Sequence, residues 1–306
     1  MKNIDHTSEV LKLKVYFENQ LGWGGGVNSD IVFNFLLDAQ SASRGGVILD
    51  AGAGHQRYKP FFSESIYIAQ EHPEAGVKNK SISKYDILSD VKNIPLENES
   101  VNCVLSTSSL EHFEYPEEFF YEAYRILKPS GTLFIHVHFM YPEHETPYDF
   151  QRPTRYGLHR WFSHSGFSDI IIKPASTSIY ASTCFIGDAI IEDLGGLRKR
   201  LNISLYDGLR FLVNKSYLRK YFLYYFIGKP IEKILPLLVS QTPDEFTRSP
   251  VGWIGIAKKS NSGQKQYQNE QFVNNLDFLE KKILKNSNFV IRDGIIVPRQ
   301  SHEIKT

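Results

Sequence analysis

Gly46-Val47-Ile48-Leu49-Asp50-Ala51-Gly52-Ala53-Gly54-His55 is the stretch that decides the fold. An aliphatic run closes on an acid, and two glycines spaced by one residue follow it. That is the pattern of a buried strand turning sharply at its carboxyl end, where a ligand binds. A dinucleotide fingerprint would carry a third glycine near position 57, where Arg57 stands. Asp50, at the strand end, would repel a pyrophosphate but suits a cationic ligand, an amino acid ammonium or a sulfonium. Together these residues argue against a nicotinamide dehydrogenase.

On either side of the turn, strands and helices alternate. Strands are expected at Val47 to Leu49, Ser65 to Gln70, more weakly Ser83 to Ile87, then Val101 to Ser106 and Thr132 to His138. Phe119, Phe120, Ala123, Tyr124 and Leu127 form an apolar helical stripe over Pro116 to Leu127, closed by Lys128-Pro129-Ser130-Gly131. A helix over Tyr156 to Ser165 and strands at Phe167 to Ile172 and Val251 to Ala257 complete the pattern. Such alternation implies right-handed crossovers and a Rossmann-like, doubly wound α/β sheet with ligands outside the carboxyl ends of its strands.

The flanks read differently. Residues 1–44 form a helical or lid-like segment, with helices near Val10 to Asn19 and from Asn28 or Ser29 through Gln40. Between them, Gly22-Trp23-Gly24-Gly25-Gly26 lacks the Lys-Ser/Thr ending of a P-loop and reads as a lid-like loop. Within the main domain, 45–260, residues 176–249 carry apolar positions at helical spacing and read as a helical insertion that caps the acceptor side. The competing reading is a membrane-surface helix, because Arg219, Lys220, Lys229 and Lys233 stand among Tyr221, Phe222, Leu223, Tyr224, Tyr225 and Phe226. Residues 261–306 form a C-terminal extension, with a helix expected over Phe272 to Lys285 and a strand over Phe289 to Val297.

Composition narrows the partners. With 35 Lys and Arg against 34 Asp and Glu, the formal net charge is +1, so no overall attraction to nucleic acid or an anionic membrane exists. Cys103 and Cys184 are too few for a disulfide scaffold and have no metal-ligand neighbours at suitable spacing, which favours a reducing, cytoplasmic setting. The first residues do not have the form of a secretory signal. Tyr221 to Val239 is broken by Lys229, Pro230, Glu232 and Lys233, so a spanning helix is not expected there.

Three acids follow successive strand ends. Glu71, 21 positions after Asp50, stands where a carboxylate accepts the two hydroxyls of a ribose. Asp90, ahead of Val91-Lys92-Asn93-Ile94-Pro95-Leu96, can accept from an exocyclic adenine amine. Leu49-Asp50-Ala51-Gly52-Ala53-Gly54, Asp90 with Ile94-Pro95-Leu96, Leu110-Glu111-His112 and Arg125-Ile126-Leu127-Lys128-Pro129-Ser130-Gly131 resemble, in order and spacing, the class I S-adenosylmethionine-dependent methyltransferases. The likeness covers roughly residues 45 to 175 and resumes at 251 to 258, and is nearest to the broad small-molecule group.

The resemblance implies a seven-stranded sheet, mostly parallel, whose last two strands form an antiparallel hairpin. It also implies that Asp50, Gly52 and Gly54 hold the methionine part of S-adenosyl-L-methionine, Glu71 the ribose, and Asp90 with Val91 the adenine, with Ser106 beneath the sulfonium. Ala53, His55, Asn102 and Ser130 depart from the family's usual residues, and none of them is one of the three acids.

Methyl transfer needs alignment and exclusion of water, and a hydroxyl acceptor also gains from a base. His112, just past the fourth strand, is the first candidate, and its structural alternative is a histidine bonded within its loop. The loop Pro142-Glu143-His144-Glu145-Thr146-Pro147-Tyr148-Asp149-Phe150-Gln151-Arg152 mixes donors, acceptors and stacking faces, which suits a polyhydroxylated or aromatic acceptor. His144 and Asp149 complete the candidate catalytic set. Glu143, His144 and Glu145 alternate in an irregular loop, weak evidence for a metal, and no metal is expected. The expected activity is methyl transfer to a hydroxyl of a small metabolite or of a sugar or lipid-linked glycan precursor. The rival reading is a non-catalytic S-adenosylmethionine-binding partner or regulator.

Overall fold

The computed structural model describes residues 6–21, 27–74, 85–182, 186, 230–231, 247–260, 289–292 and 295–298. Two compact units divide the chain, Met1–Asn261 and Ser262–Thr306. The first contains helices α1 (His6–Leu21) and α2 (Val27–Ser43), then strands β1 (Val47–Ala51), β2 (Ile66–Glu71), β3 (Ile87–Leu88) and β4 (Val101–Thr107). Helix α3 (Pro116–Ile126), strand β5 (Leu127–His138), helix α4 (Arg155–His164) and strands β6 (Phe167–Pro174) and β7 (Gly252–Lys259) follow.

The sheet runs β3-β2-β1-β4-β5-β7-β6. Its first five strands are mutually parallel, and β7 lies antiparallel between β5 and β6. This is the expected seven-stranded sheet with its antiparallel final hairpin. Because neighbouring side chains of a strand face opposite ways, Ile48 joins the core under α1 and α2, with Phe17, Phe33 and Leu36. Leu49 joins the opposite core with Phe119, Phe120, Ile126 and Phe162 from α3 and α4. Helix α3 buries Phe119, Phe120, Ala123 and Ile126, and Thr154 caps α4 by accepting from the Gly157 N–H.

Several boundaries differ from the sequence expectation for physical reasons. Strand β5 begins at Leu127, because Lys128-Pro129-Ser130-Gly131 forms an irregularity inside the strand: pairing shifts between Val101 and Cys103, and Ser130 takes a φ of 63°. The short third strand is Ile87–Leu88, later than expected. In the second unit the single strand expected over Phe289 to Val297 is two, β8 (Phe289–Arg292) and β9 (Ile295–Pro298), paired antiparallel. Asp293-Gly294, between them in the sequence, is a dipeptide that favours hairpins and that the sequence reading passed over. The glycine cluster Gly22 to Gly26, the expected helix Phe272 to Lys285 and most of the insertion lie outside the described residues, though 178–182 are helical. Among the described residues no helix is long and apolar enough to cross a membrane.

Helix α4 packs on β7 over Gly255, where a Cβ would stand 2.6 Å from Phe162 Cε2 and 3.3 Å from Leu158 Cδ2. Both neighbours are buried, so neither side chain can swing aside cheaply. Gly255→Ala should therefore lower unfolding stability by about 1–3 kcal/mol, read by urea denaturation.

Candidate functional site

The turn after β1 is fixed from both sides. Gly52 and Ala53 donate to the Gln70 carbonyl at 3.1 and 2.9 Å, which ties the turn to β2. Gly52 has a φ of +73°, and a Cβ there would lie 2.6 Å from Ser109 Cβ. Only glycine tolerates that geometry and closeness together. Ser109 Oγ donates to the Gly52 carbonyl at 2.9 Å, so the turn also grips the loop that leaves β4. Gly54, at φ +52°, has nothing within 4 Å of where a Cβ would be, so this corner of the turn is open.

Glu71, at the end of β2, accepts from the Gly54 N–H at 2.8 Å and from the His72 N–H at 2.9 Å. It is almost buried, and its two oxygens offer about four acceptor positions, so capacity remains beyond these two bonds. Asp50 is buried and accepts from the Tyr67 hydroxyl. Burial pushes the Asp50 carboxyl up to about 7, against the Tyr67 bond, which lowers it, and with Glu71, which raises it further.

Asp90 is well exposed and accepts from the Lys92 N–H at 3.1 Å, with Lys92 Nζ at 3.3 Å. The segment after it is held by α3. Glu122 accepts from the Ile94 N–H at 2.7 Å, and Arg125 donates to the Ile94 and Leu96 carbonyls at 3.0 and 2.8 Å while bridging to Glu122 at 2.7 Å. The sequence reading quoted Arg125 as a motif residue and gave it no role. The signal was the i, i+3 pairing Glu122/Arg125 on the face turned to the Ile94-Pro95-Leu96 loop.

At the carboxyl ends of β4 and β5 a second polar cluster forms. Ser106 Oγ and Thr107 Oγ1 are buried with no partner among the described residues. The short 3-10 turn Leu110–His112 follows, and the loop after β5 is clamped onto it: Phe150 N–H donates to the Glu111 carbonyl at 2.9 Å, and Gln151 Nε2 to the Leu110 and Phe113 carbonyls. The expected trio His112, His144 and Asp149 thus shares one place. His112 Nδ1 donates to the Tyr148 carbonyl at 2.6 Å, and its ring meets that of His144 edge-on at 4.9 Å.

Asp149 accepts from the His144 N–H at 2.9 Å and is gripped by both terminal nitrogens of Arg152, one at 2.6 Å. The guanidinium beside it holds its carboxyl well below the usual carboxylate range. Its oxygens are committed to shaping the loop. The structure gives Asp149 a positioning place, between His144 and Arg152.

Three members of this cluster escaped the sequence reading. Glu111 was quoted only as part of a motif, yet its carboxylate is fully buried and neither oxygen has a hydrogen-bond partner among the described residues. Burial pushes its carboxyl upward. His136 and His138 are two apart on β5, hence on one face, with rings 5.7 Å apart. His136 is buried, which lowers its basicity to about 4, and its Nδ1 lies 3.1 Å from Ser108 Oγ. The signal was the alternation His136-Val137-His138 at a strand's carboxyl end. Glu143 and Glu145 are exposed.

Residues 49–135 match the family model described as a methyltransferase domain. Among curated proteins, the chain is 29% identical over 137 residues to a demethylmenaquinone methyltransferase of Protochlamydia amoebophila, covering 43% of this chain and 56% of that protein. It is 34% identical over 114 residues to an uncharacterized methyltransferase-like protein of Schizosaccharomyces pombe, covering 35% of this chain and 42% of that protein. The chain thus spans about half the length of the curated relatives it matches. Among solved structures it is similar to a SAM-dependent methyltransferase from Archaeoglobus fulgidus, at a TM-score of 0.44 and 15% identity, covering 80% of this chain and 99% of that one.

The raised carboxyl of Asp50 has a stability consequence. A carboxyl whose folded value lies above its unfolded one binds extra protons in the native state, so its contribution is lost as pH rises from 3.8 through about 7. Asp50→Asn, which keeps an acceptor for Tyr67, should remove that decline. In thermal melts across this range, the variant should gain on the parent as pH rises.

Proposed function

We propose, from the match of residues 49–135 to the methyltransferase domain model, that this chain is a class I S-adenosylmethionine-dependent methyltransferase and that it transfers a methyl group to a hydroxyl of a small metabolite or of a sugar or glycan precursor. The observation that carries the donor half of this reading is the succession of three acids, Asp50, Glu71 and Asp90, at or just after the carboxyl ends of the adjacent strands β1, β2 and β3, with Glu71 bonded to the open glycine turn.

The residues present fit the cofactor. An open corner at Gly54, spare acceptor capacity on Glu71, and the buried hydroxyls of Ser106 and Thr107 without partners form a cradle of polar groups with room beside it. In this reading Gly52, Gly54 and Asp50 hold the methionine portion, Glu71 the ribose, and Asp90 with the Val91 backbone the adenine, while Ser106 lies beneath the sulfur. The bond from Tyr67 aims the Asp50 carboxylate, and a nearby cation favours its charged form. The Glu122–Arg125 bracket keeps the Val91 to Leu96 segment in place.

Bound S-adenosylmethionine supplies a methyl carbon already activated by positive sulfur. What remains for the chain is to align the acceptor, exclude water and take up a proton. His112 suits the proton uptake, because its Nδ1–H is spent on the Tyr148 carbonyl, which leaves the Nε2 lone pair as the basic position. The aromatic faces and polar groups of the loop between β5 and α4 support a hydroxylated acceptor over an apolar one.

Calorimetric titration with S-adenosylmethionine, followed by transfer of labelled methyl in extracts with mass analysis of the product, tests the reading. Saturable binding weakened by Glu71→Ala and Asp90→Ala is expected. His112→Ala should cut turnover about a hundredfold while leaving donor affinity nearly intact. Absence of binding would overturn the donor assignment. Binding with no conversion to S-adenosylhomocysteine in any extract would favour the non-catalytic partner instead.

A further inference from the structure

The loop that follows β5 and the turn that follows β4 bring Glu111, His138 and His144 together, with one ligand atom of each lying within 4.8 Å of the others. We propose that these three side chains form a binding site for one divalent transition-metal ion of the zinc, cobalt or ferrous class.

The strongest observation is the Glu111 carboxylate. It is fully buried and neither of its oxygens accepts a hydrogen bond from any described residue. An ionised carboxylate in that condition is expensive unless a cation neutralises it. Two imidazole nitrogens stand beside it, His138 Nε2 at 3.4 Å from Oε1 and His144 Nε2 at 3.9 Å from the same oxygen. Ligand atoms about 2.0–2.2 Å from a shared ion at a tetrahedral angle stand about 3.4 Å apart, so the Glu111–His138 separation already suits an ion. His144 stands farther from that oxygen, at 3.9 Å, and has to move in to share the ion; it belongs to a loop rather than to the sheet.

The tautomer of His144 points the same way. Its Nδ1 lies 3.3 Å from both the Pro142 carbonyl and Asp149 Oδ2, two oxygens that can only accept, and slightly farther, 3.4 Å, from Arg152 Nη2, whose short bond at 2.6 Å goes to Asp149. A proton on Nδ1 leaves a lone pair on Nε2, facing the Glu111 oxygen. Two acceptors brought face to face in a buried place call for a cation between them. Asp149 behind His144, itself held by Arg152, is the outer carboxylate that fixes the ring orientation of a metal-bound histidine. Tyr141 stacks on His138 at 4.0 Å and 15°, which restricts that ring as well. Two imidazoles and one carboxylate leave further coordination positions open, enough for an acceptor oxygen. That last role rests on the methyl-transfer reading, whereas ion binding does not.

The test uses the untagged full chain, treated with chelator and titrated with zinc or cobalt(II) chloride by calorimetry and, for cobalt, visible absorption. One ion per chain is expected, with a cobalt spectrum of reduced coordination symmetry and a melting temperature that rises with zinc. Glu111→Gln, His138→Ala and His144→Ala should each weaken binding roughly tenfold or more, and Asp149→Asn by a comparable factor. Glu111→Gln conserves shape, so its circular dichroism and its unchanged S-adenosylhomocysteine titration show that the fold and donor site are intact. No saturable binding, or binding that Glu111→Gln and His144→Ala leave unaltered, overturns the proposal. The S-adenosylhomocysteine titration separates that failure from a failure of the donor site.

Discussion

The contact on which the site depends is the one between Gly52 and Ser109. A backbone turn with no side chain lies against the loop leaving β4, and the Ser109 hydroxyl closes the gap with a bond to the Gly52 carbonyl. Because β1 and β4 are neighbours in the sheet, their two carboxyl-end loops must share space there. The glycine lets them approach so closely that Leu110–His112 begins beside the turn after β1. A side chain at position 52 would push the two loops apart. The glycine turn and the histidine-rich cluster are therefore joined through one backbone approach rather than through a long chain of contacts.

How much of this was legible in the sequence follows from which forces act locally. The alternation of strands and helices is legible in the apolar runs, a property of short stretches, whereas the seven-stranded sheet with its antiparallel ending was implied by the resemblance and not by any local pattern. Helix α3 was readable because Phe119, Phe120, Ala123 and Tyr124 recur at helical spacing, and the structure buries the first three of them together with Ile126. The irregular start of β5 was not, because Lys128-Pro129-Ser130-Gly131 carries every local sign of a turn, and only pairing with β4 keeps it in the sheet. Asp50 was read correctly as a strand-end acid, while its bond to Tyr67 depends on the register of β2 against β1, which no local pattern encodes.

The histidine cluster shows the same limit more sharply. His112 and His144 were visible as candidates because they follow strands. Glu111 was hidden beside a more conspicuous neighbour, and His136 and His138 looked like ordinary strand residues. Their assembly requires β4 and β5 to be adjacent and the loop after β5 to fold back over the turn after β4, secured by Gln151 reaching the Leu110 and Phe113 carbonyls. Those contacts join residues about forty positions apart. Of the alternating Glu143, His144 and Glu145, a weak metal signal in the sequence, only His144 joins this cluster while both glutamates are exposed, because sequence proximity in an irregular loop says little about direction.

The acids of the two halves meet different electrostatic fates, and the comparison is informative. Glu71 is satisfied by two backbone N–H groups, Asp90 by solvent and Lys92, Asp149 by the Arg152 guanidinium, and Asp50 by the Tyr67 phenol, which offsets part of the upward push of burial. Each of these arrangements answers the cost of a carboxylate with a partner the chain itself provides. Glu111 is the most deeply placed of the five, and the described residues offer it imidazole nitrogens at separations too long for good hydrogen bonds. A chain that supplies hydrogen-bond donors so consistently elsewhere sets two imidazoles beside this carboxylate instead, an arrangement that suits a cation shared among the three.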